Sequence, residues 1–185
     1  RGGPRGETEE GNGGAENEWE GEPRILVPSP RDVPSYDHAP AMSAPELAER
    51  FAAEIGGGYG FAVVNFANPD MVGHTGVVRA VVEAVETVDR CLAAVVEATH
   101  RAGGVCLVTA DHGNAERLLE ADGVSPHTAH TTNPVPLVLT LEEADLAGGG
   151  ELSDLAPTVL DLLGIDVPDA MTGRPLVTAA RGENR

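Results

Sequence analysis

Phe61-Ala62-Val63-Val64-Asn65-Phe66, a long stretch of helical period from Gly76 to Arg101, and Val105-Cys106-Leu107-Val108-Thr109 together decide the fold. The two ends are short apolar runs of strand length. Between them Val78, Val81, Val82, Val85, Val88, Leu92, Val95 and Val96 recur at i, i+3, i+4 and i+7. Arg79, Glu83, Glu86, Arg90 and Glu97 take the opposite face, so the spacing predicts an amphipathic helix. Gly103-Gly104 ends it. Strand, helix and strand in that order predict a parallel pair joined by a helical crossover.

Working outward, Ser43-Ala44-Pro45-Glu46 has the form of a capping box and predicts a helix to about Ile55, stopped by Gly56-Gly57-Gly58. Downstream, Pro136 to Thr140 reads as a third strand. Ser153 to Leu163 reads as a last amphipathic helix, capped by Ser153 and ended by Gly164. The expected architecture is α/β, a mostly parallel sheet with helices on both faces. The expected organisation is a disordered segment over 1–20, a folded body over 21–178 and a disordered tail over 179–185.

Composition narrows the function. The formal net charge is −18, which repels nucleic-acid backbones and predicts no nucleic-acid partner. All 12 cationic side chains are Arg, so no lysine base or Schiff base comes from this chain. Cys91 and Cys106 form no C-x-x-C and read as core residues of a cytoplasmic protein. No apolar run approaches the roughly 20 residues of a membrane span, and no signal-peptide pattern is present. The first residue is Arg, which reads as a missing or processed N-terminus.

Parallel sheets bind ligands beyond the carboxyl ends of their strands. After the first strand comes Asn68-Pro69-Asp70-Met71-Val72-Gly73-His74, and after the second comes Asp111-His112-Gly113-Asn114. Before the third lies His127-Thr128-Ala129-His130-Thr131-Thr132-Asn133. Four of the six histidines fall in these segments, whereas His38 and His100 read as surface residues. Asp and His suit Mn²⁺ or Zn²⁺, and Asp-x-x-x-His puts both side chains on one side of a helical turn or tight loop. A lone His or Asp at a strand end is usually a loop residue, but three clusters at one sheet edge favour a metal site. Two ions would suit phosphoryl chemistry.

These words resemble a known family. Asn65 to Gly76, Thr109-Ala110-Asp111-His112-Gly113-Asn114-Ala115-Glu116, and Thr128-Ala129-His130-Thr131-Thr132-Asn133-Pro134-Val135-Pro136 follow the blocks of the cofactor-independent phosphoglycerate mutases, members of the alkaline phosphatase superfamily. Pro28-Ser29-Pro30, Asp154-Leu155-Ala156-Pro157-Thr158 and Met171-Thr172-Gly173-Arg174 extend the likeness, which runs from about Asn12 to Leu176. It implies an alkaline-phosphatase-like fold, incomplete here because the N-terminal portion is absent. It also implies two Mn²⁺ ions, with Asp70, His74 and His130 on one and Asp111 and His112 on the other. His130, not His127, holds the family's position within Thr-Ala-His-Thr-Thr-Asn.

The implied reaction is interconversion of 3- and 2-phosphoglycerate through a phosphoserine, in monomeric proteins with a small-molecule substrate. The family's nucleophilic serine and its substrate domain have no counterpart in this chain. Ser29, Ser35, Ser43, Ser125 and Ser153 match no nucleophile motif, so the chain alone is expected to be inactive. Two other readings remain open. One is a different enzyme of the superfamily, a phosphopentomutase or metal phosphohydrolase. The other is a metal-binding remnant without catalysis.

Overall fold

The computed structural model describes residues 22–179. The segment over 1–20, and all but the first residue of the tail over 179–185, lie outside the described residues. The elements in order are helix α1 (Ala44–Glu54), short helix α2 (Asn68–Gly73), long helix α3 (Val78–Arg101), strands β1 (Leu107–Thr109), β2 (Leu137–Leu139) and β3 (Ala144–Leu146), helix α4 (Leu155–Leu162) and strand β4 (Val177–Ala179).

The organising element is α3, against which both α1 and α2 pack. Its buried face carries Ala80, Val81, Ala84, Thr87, Cys91, Val95 and Ala98. One core cluster joins Ala44 and Ala48 of α1 to Cys91 and Val95, with Phe51, Val64 and Phe66 against them. A second joins Val72 of α2 to Ala80, Val81 and Ala84, with Tyr36, Met42 and Leu118 at its edge. The valine stripe singled out by periodicity is therefore only partly the core face. Val81 and Val95 are buried, but Val78, Val82 and Val85 are exposed. The apolar side of the helix is broad, and the part with Ala, Thr and Cys lets neighbouring backbones come close. Thr87 and Thr99 fit this face because their hydroxyls donate to Glu83 O and Val95 O one turn back.

The parallel sheet expected from the alternation does not form among the described residues. Both ladders there are antiparallel: β1 with β2, in the register Leu107↔Leu139, and β3 with β4. A parallel return needs a crossover, usually helical. Residues 110–136 contain no helix, and the chain doubles back through the bridges Gly113↔Thr131 and Leu119↔Pro126. Phe61 to Phe66 keeps a strand-like alternation, with Val64 and Phe66 half-buried against the first cluster and Val63 exposed, but takes no ladder partner. Among the described residues no helix is long and apolar enough to cross a membrane.

Capping differs in detail from the sequence reading. Ser43 does not cap α1; its hydroxyl donates to Pro28 O at 2.6 Å and ties the proline-rich path to the helix start. The end of α1 follows expectation: a 3₁₀ turn over Ile55–Gly57, then Gly58 at φ +87°. Ahead of α4, a 3₁₀ turn over Leu152–Asp154 displaces Ser153 from the cap. Asp154 holds that turn instead. Its carboxylate accepts the Glu151 N–H at 2.9 Å and the Arg174 N–H at 2.8 Å.

Those bonds give a pH dependence. The Arg174 N–H, ahead of that of Glu151, holds the Asp154 carboxyl below the usual carboxylate range. A lowered folded-state pKa contributes stability that is present above the unfolded value and is lost as pH falls through the folded one. The stability advantage of the parent chain over Asp154→Asn is therefore expected to stay level above about pH 5 and to shrink below about pH 4. Urea titrations of both proteins across that range check it; an advantage independent of pH contradicts it.

Candidate metal centre

Asp70 and His74 reach one another because α2 is helical. Asn68 is 3 % exposed, and its amide donates to Pro40 O and Ala41 O, fixing the start of the helix. Pro69 occupies its first turn, where no N–H is needed. The i, i+4 spacing then brings His74 Nε2 to 3.2 Å from Asp70 Oδ1. Gly76, at φ +69°, turns the chain from α2 into α3, and a Cβ there would lie 2.7 Å from Pro126 Cβ. This close approach lays the 126–130 segment against α2.

His130 arrives on that segment. Its Nε2 lies 3.0 Å from Asp70 Oδ1 and 3.1 Å from His74 Nε2. The three side chains offer ligand atoms that all lie within 4.8 Å of one another. His74 Nδ1 sits 2.7 Å from Thr128 O. A carbonyl can only accept, so Nδ1 carries a proton, and in the neutral ring Nε2 then presents its lone pair inward. A carboxylate oxygen and two imidazole nitrogens gathered this closely could hold a cation between them. The donor set of one carboxylate and two imidazoles fits a divalent transition ion.

Asp111 and His112 do not join that trio directly. His112 stacks on His130, with ring centroids 3.7 Å apart and planes 18° from parallel. Its Nδ1 is buried without a hydrogen-bond partner, and Nε2 lies 3.7 Å from Asp111 Oδ1. The Asp111 side chain is 87 % exposed. Both border an open cleft of about 740 Å³, lined also by Thr109, Thr131, Asn133 and Leu176. The remaining histidines lie apart from the trio. His127 Nδ1 pairs with Glu120, His38 with Asp37, and His100 with the Thr140 hydroxyl.

The two loops that carry His112 and His130 are sewn together by residues whose roles went unread in the sequence. Thr131 N–H donates to Gly113 O at 2.8 Å. Glu116 accepts from the Thr131 hydroxyl and from Asn133 Nδ2, the latter at 2.8 Å. The Thr131 hydroxyl, ahead of the Asn133 amide, holds the Glu116 carboxyl below its ordinary range. Gly113 is required where these groups meet, since a Cβ there would collide with Thr131 Oγ1 and with Glu116. Asn114 is buried against Asp70, with Nδ2 2.7 Å from Oδ1. Their signal was a position beside Asp111 and His112 or beside His130, where ligand-supporting groups belong.

Residues 7–167 match the metalloenzyme superfamily. The chain is 53 % identical over 171 residues to the 2,3-bisphosphoglycerate-independent phosphoglycerate mutase of Syntrophotalea carbinolica, covering 90 % of this chain and 33 % of that one. It is 54 % identical over 167 residues to the enzyme of that name from Rhodopseudomonas palustris, again covering 90 % and 33 %. A phosphoglycerate mutase of Leishmania mexicana, solved at low cobalt concentration, superposes with a TM-score of 0.71 at 30 % identity, covering 83 % of this chain and 31 % of that one. The chain thus spans about a third of the length of the curated relatives it matches. With the match extending over most of its length, and Asp70, His74 and His130 converging within the matched span, the chain belongs to the metalloenzyme superfamily.

Proposed function

We propose that this chain supplies the metal-binding third of a 2,3-bisphosphoglycerate-independent phosphoglycerate mutase, a cytoplasmic enzyme that interconverts 3- and 2-phosphoglycerate. The observation that carries the reading is the convergence of Asp70, His74 and His130 inside a segment over half identical to enzymes of that name. These three residues would hold one Mn²⁺, and Asp111 and His112 would contribute to a second at the open cleft. Bound there, divalent ions supply Lewis-acid stabilisation of charge on a transferring phosphoryl group.

The chain's own residues prepare that role. Thr128 O fixes the His74 tautomer, and Glu116 holds the His130 loop to the His112 loop. The nucleophile and the phosphoglycerate-binding groups belong to the part of the relatives' length that this chain does not span. Exposed apolar side chains support that division: Val63 is 79 % exposed and Val82 51 %. Singly exposed apolar residues are ordinary, but Val78, Val82 and Val85 share one face of α3, the kind of surface that marks an interface.

The test is phosphoglycerate mutase activity in Mn²⁺. The chain is assayed alone, and then mixed with the remaining two-thirds of the Syntrophotalea carbinolica enzyme expressed separately. Activity in the mixture and in neither part alone is expected. A mixture that isomerises ribose phosphate and leaves phosphoglycerate untouched moves the assignment to a phosphopentomutase. Activity of the chain alone places a working nucleophile within it and overturns the division of labour.

A further inference from the structure

We propose that Asn114 is a positioning residue that sets the metal-binding orientation of Asp70, and that Gly73 is a glycine because Asn114 occupies the space its side chain would fill. The inference rests on the metal reading of Asp70, His74 and His130.

Asp70 Oδ1 is the atom on which the centre converges. It lies 3.2 Å from His74 Nε2 and 3.0 Å from His130 Nε2. The same oxygen accepts from Asn114 Nδ2 at 2.7 Å, and a longer contact of 3.3 Å joins Nδ2 to the Asp70 backbone carbonyl. A carboxylate turns about its terminal torsion with little resistance. A donor fixed on one lone pair of Oδ1 stops that turning and leaves another lone pair facing the two imidazoles. The orientation of the Asn114 amide is itself dictated. Flipped, its oxygen would face a carboxylate and a carbonyl, two groups that can only accept.

Among the described residues the Asn114 side chain makes no hydrogen bond other than those to Asp70. It is 4 % exposed, and its Oδ1 is buried with no hydrogen-bond partner. A buried acceptor left unsatisfied calls for an explanation, and here the donor half of the amide is committed to Asp70. Gly73 makes the arrangement possible from the other side. A Cβ at Gly73 would collide with Asn114 Oδ1 and come within 2.8 Å of its Cγ. Gly73 lies in α2 with an ordinary backbone, so alanine suits the helix there and fails only against Asn114.

The experiment titrates the 185-residue chain with Co²⁺, read by calorimetry and by the visible absorption of the bound ion. The parent, Asn114→Ala, Gly73→Ala and the double variant are compared, and circular dichroism in chelator confirms folding. Each single variant is expected to weaken Co²⁺ binding roughly 10- to 100-fold, the range for groups that orient metal ligands, and to alter the absorption spectrum. The double variant is expected to bind no more weakly than Asn114→Ala alone, because Gly73→Ala then has nothing to displace. General loss of packing would instead make the two effects multiply, and that result overturns the proposal. Co²⁺ affinity of Asn114→Ala within twofold of the parent overturns it as well. Should Asn114→Ala not fold, Gly73→Ala decides: affinity within twofold of the parent is the overturning result. A parent chain that binds no Co²⁺ removes the metal reading itself, and this inference with it.

Discussion

Asp70→Ala is expected to weaken divalent-metal binding by more than about 100-fold, beyond the range set by loss of a merely supporting group. The reason is geometric. Asp70 Oδ1 is the one atom in contact with His74, His130 and Asn114 together, and the carboxylate is the only anionic donor of the trio. Without it two imidazoles remain, with nitrogens 3.1 Å apart and no negative charge to hold a cation. His74→Ala and His130→Ala are expected to fall in the same range. His127→Ala is expected to leave affinity within twofold, since its ring is turned to Glu120 and lies outside the trio. Mn²⁺ and Co²⁺ titrations of the four variants separate these outcomes. Equal loss on His127→Ala and His130→Ala would falsify the choice between the two histidines.

That choice could be made from sequence only through family resemblance, because spacing alone treats His127 and His130 alike. The geometry supplies a physical reason. Thr131 pairs with Gly113, which fixes the residue just before it, whereas His127 sits where its backbone N–H donates to Leu118 O. The Asp70 and His74 pairing was legible because Asp-x-x-x-His puts both side chains on one side of a helical turn or tight loop, and the structure makes it a helix. The span of α3 was legible for the same reason: its apolar period is long, and Gly103, at φ +81°, ends it.

What was not legible depended on partners distant in sequence. The apolar side of α3 is broader than one neighbour can cover, and periodicity cannot say which part of it α1 and α2 will take. The short Ala, Thr and Cys side chains settled that by allowing closer packing. Phe61 to Phe66 and Val105 to Thr109 look alike as apolar runs. Only the second finds a ladder, because β2 lies at the far end of a doubled-back loop. The capping errors have a common cause as well. Ser43 and Ser153 have good cap chemistry, but Pro28 O captures the first hydroxyl and a 3₁₀ turn displaces the second. Asn114 and Glu116 were in plain view as polar residues of a glycine-containing loop. Their partners, Asp70 and Thr131, lie 44 and 15 residues away.

Leu176→Ala is expected to lower the stability of the chain by about 3 kcal/mol, the middle of the range for a fully buried leucine. That is roughly a hundredfold in the folding equilibrium and a fall in Tm of about 6–12 °C for a domain of this size. Leu176 is 1 % exposed and is the largest side chain so completely enclosed among the described residues. It fastens the last segment of the chain to the rest. Its N–H donates to Thr158 Oγ1 at 3.0 Å, its carbonyl accepts from Ala147 at 2.8 Å, and its side chain fills the space over Gly150. Thr158, itself fully buried, donates onward to Asp154 O, so the leucine closes a chain of contacts running from β3 through α4 to β4. The two core clusters on α3 include none of these residues. Leu163→Ala is the matched control. That residue also follows α4 but is 44 % exposed, and its loss is expected to cost less than about 1 kcal/mol. Urea and thermal unfolding of the two variants decide the matter. Because Leu176 lines the cleft beside Asp111 and His112, its loss is also expected to loosen the cleft before it reaches Asp70, His74 and His130. Hydrogen exchange in the β3–β4 ladder should therefore rise ahead of exchange in α3, and the reverse order would show that β3, α4 and β4 are not an independent cooperative unit.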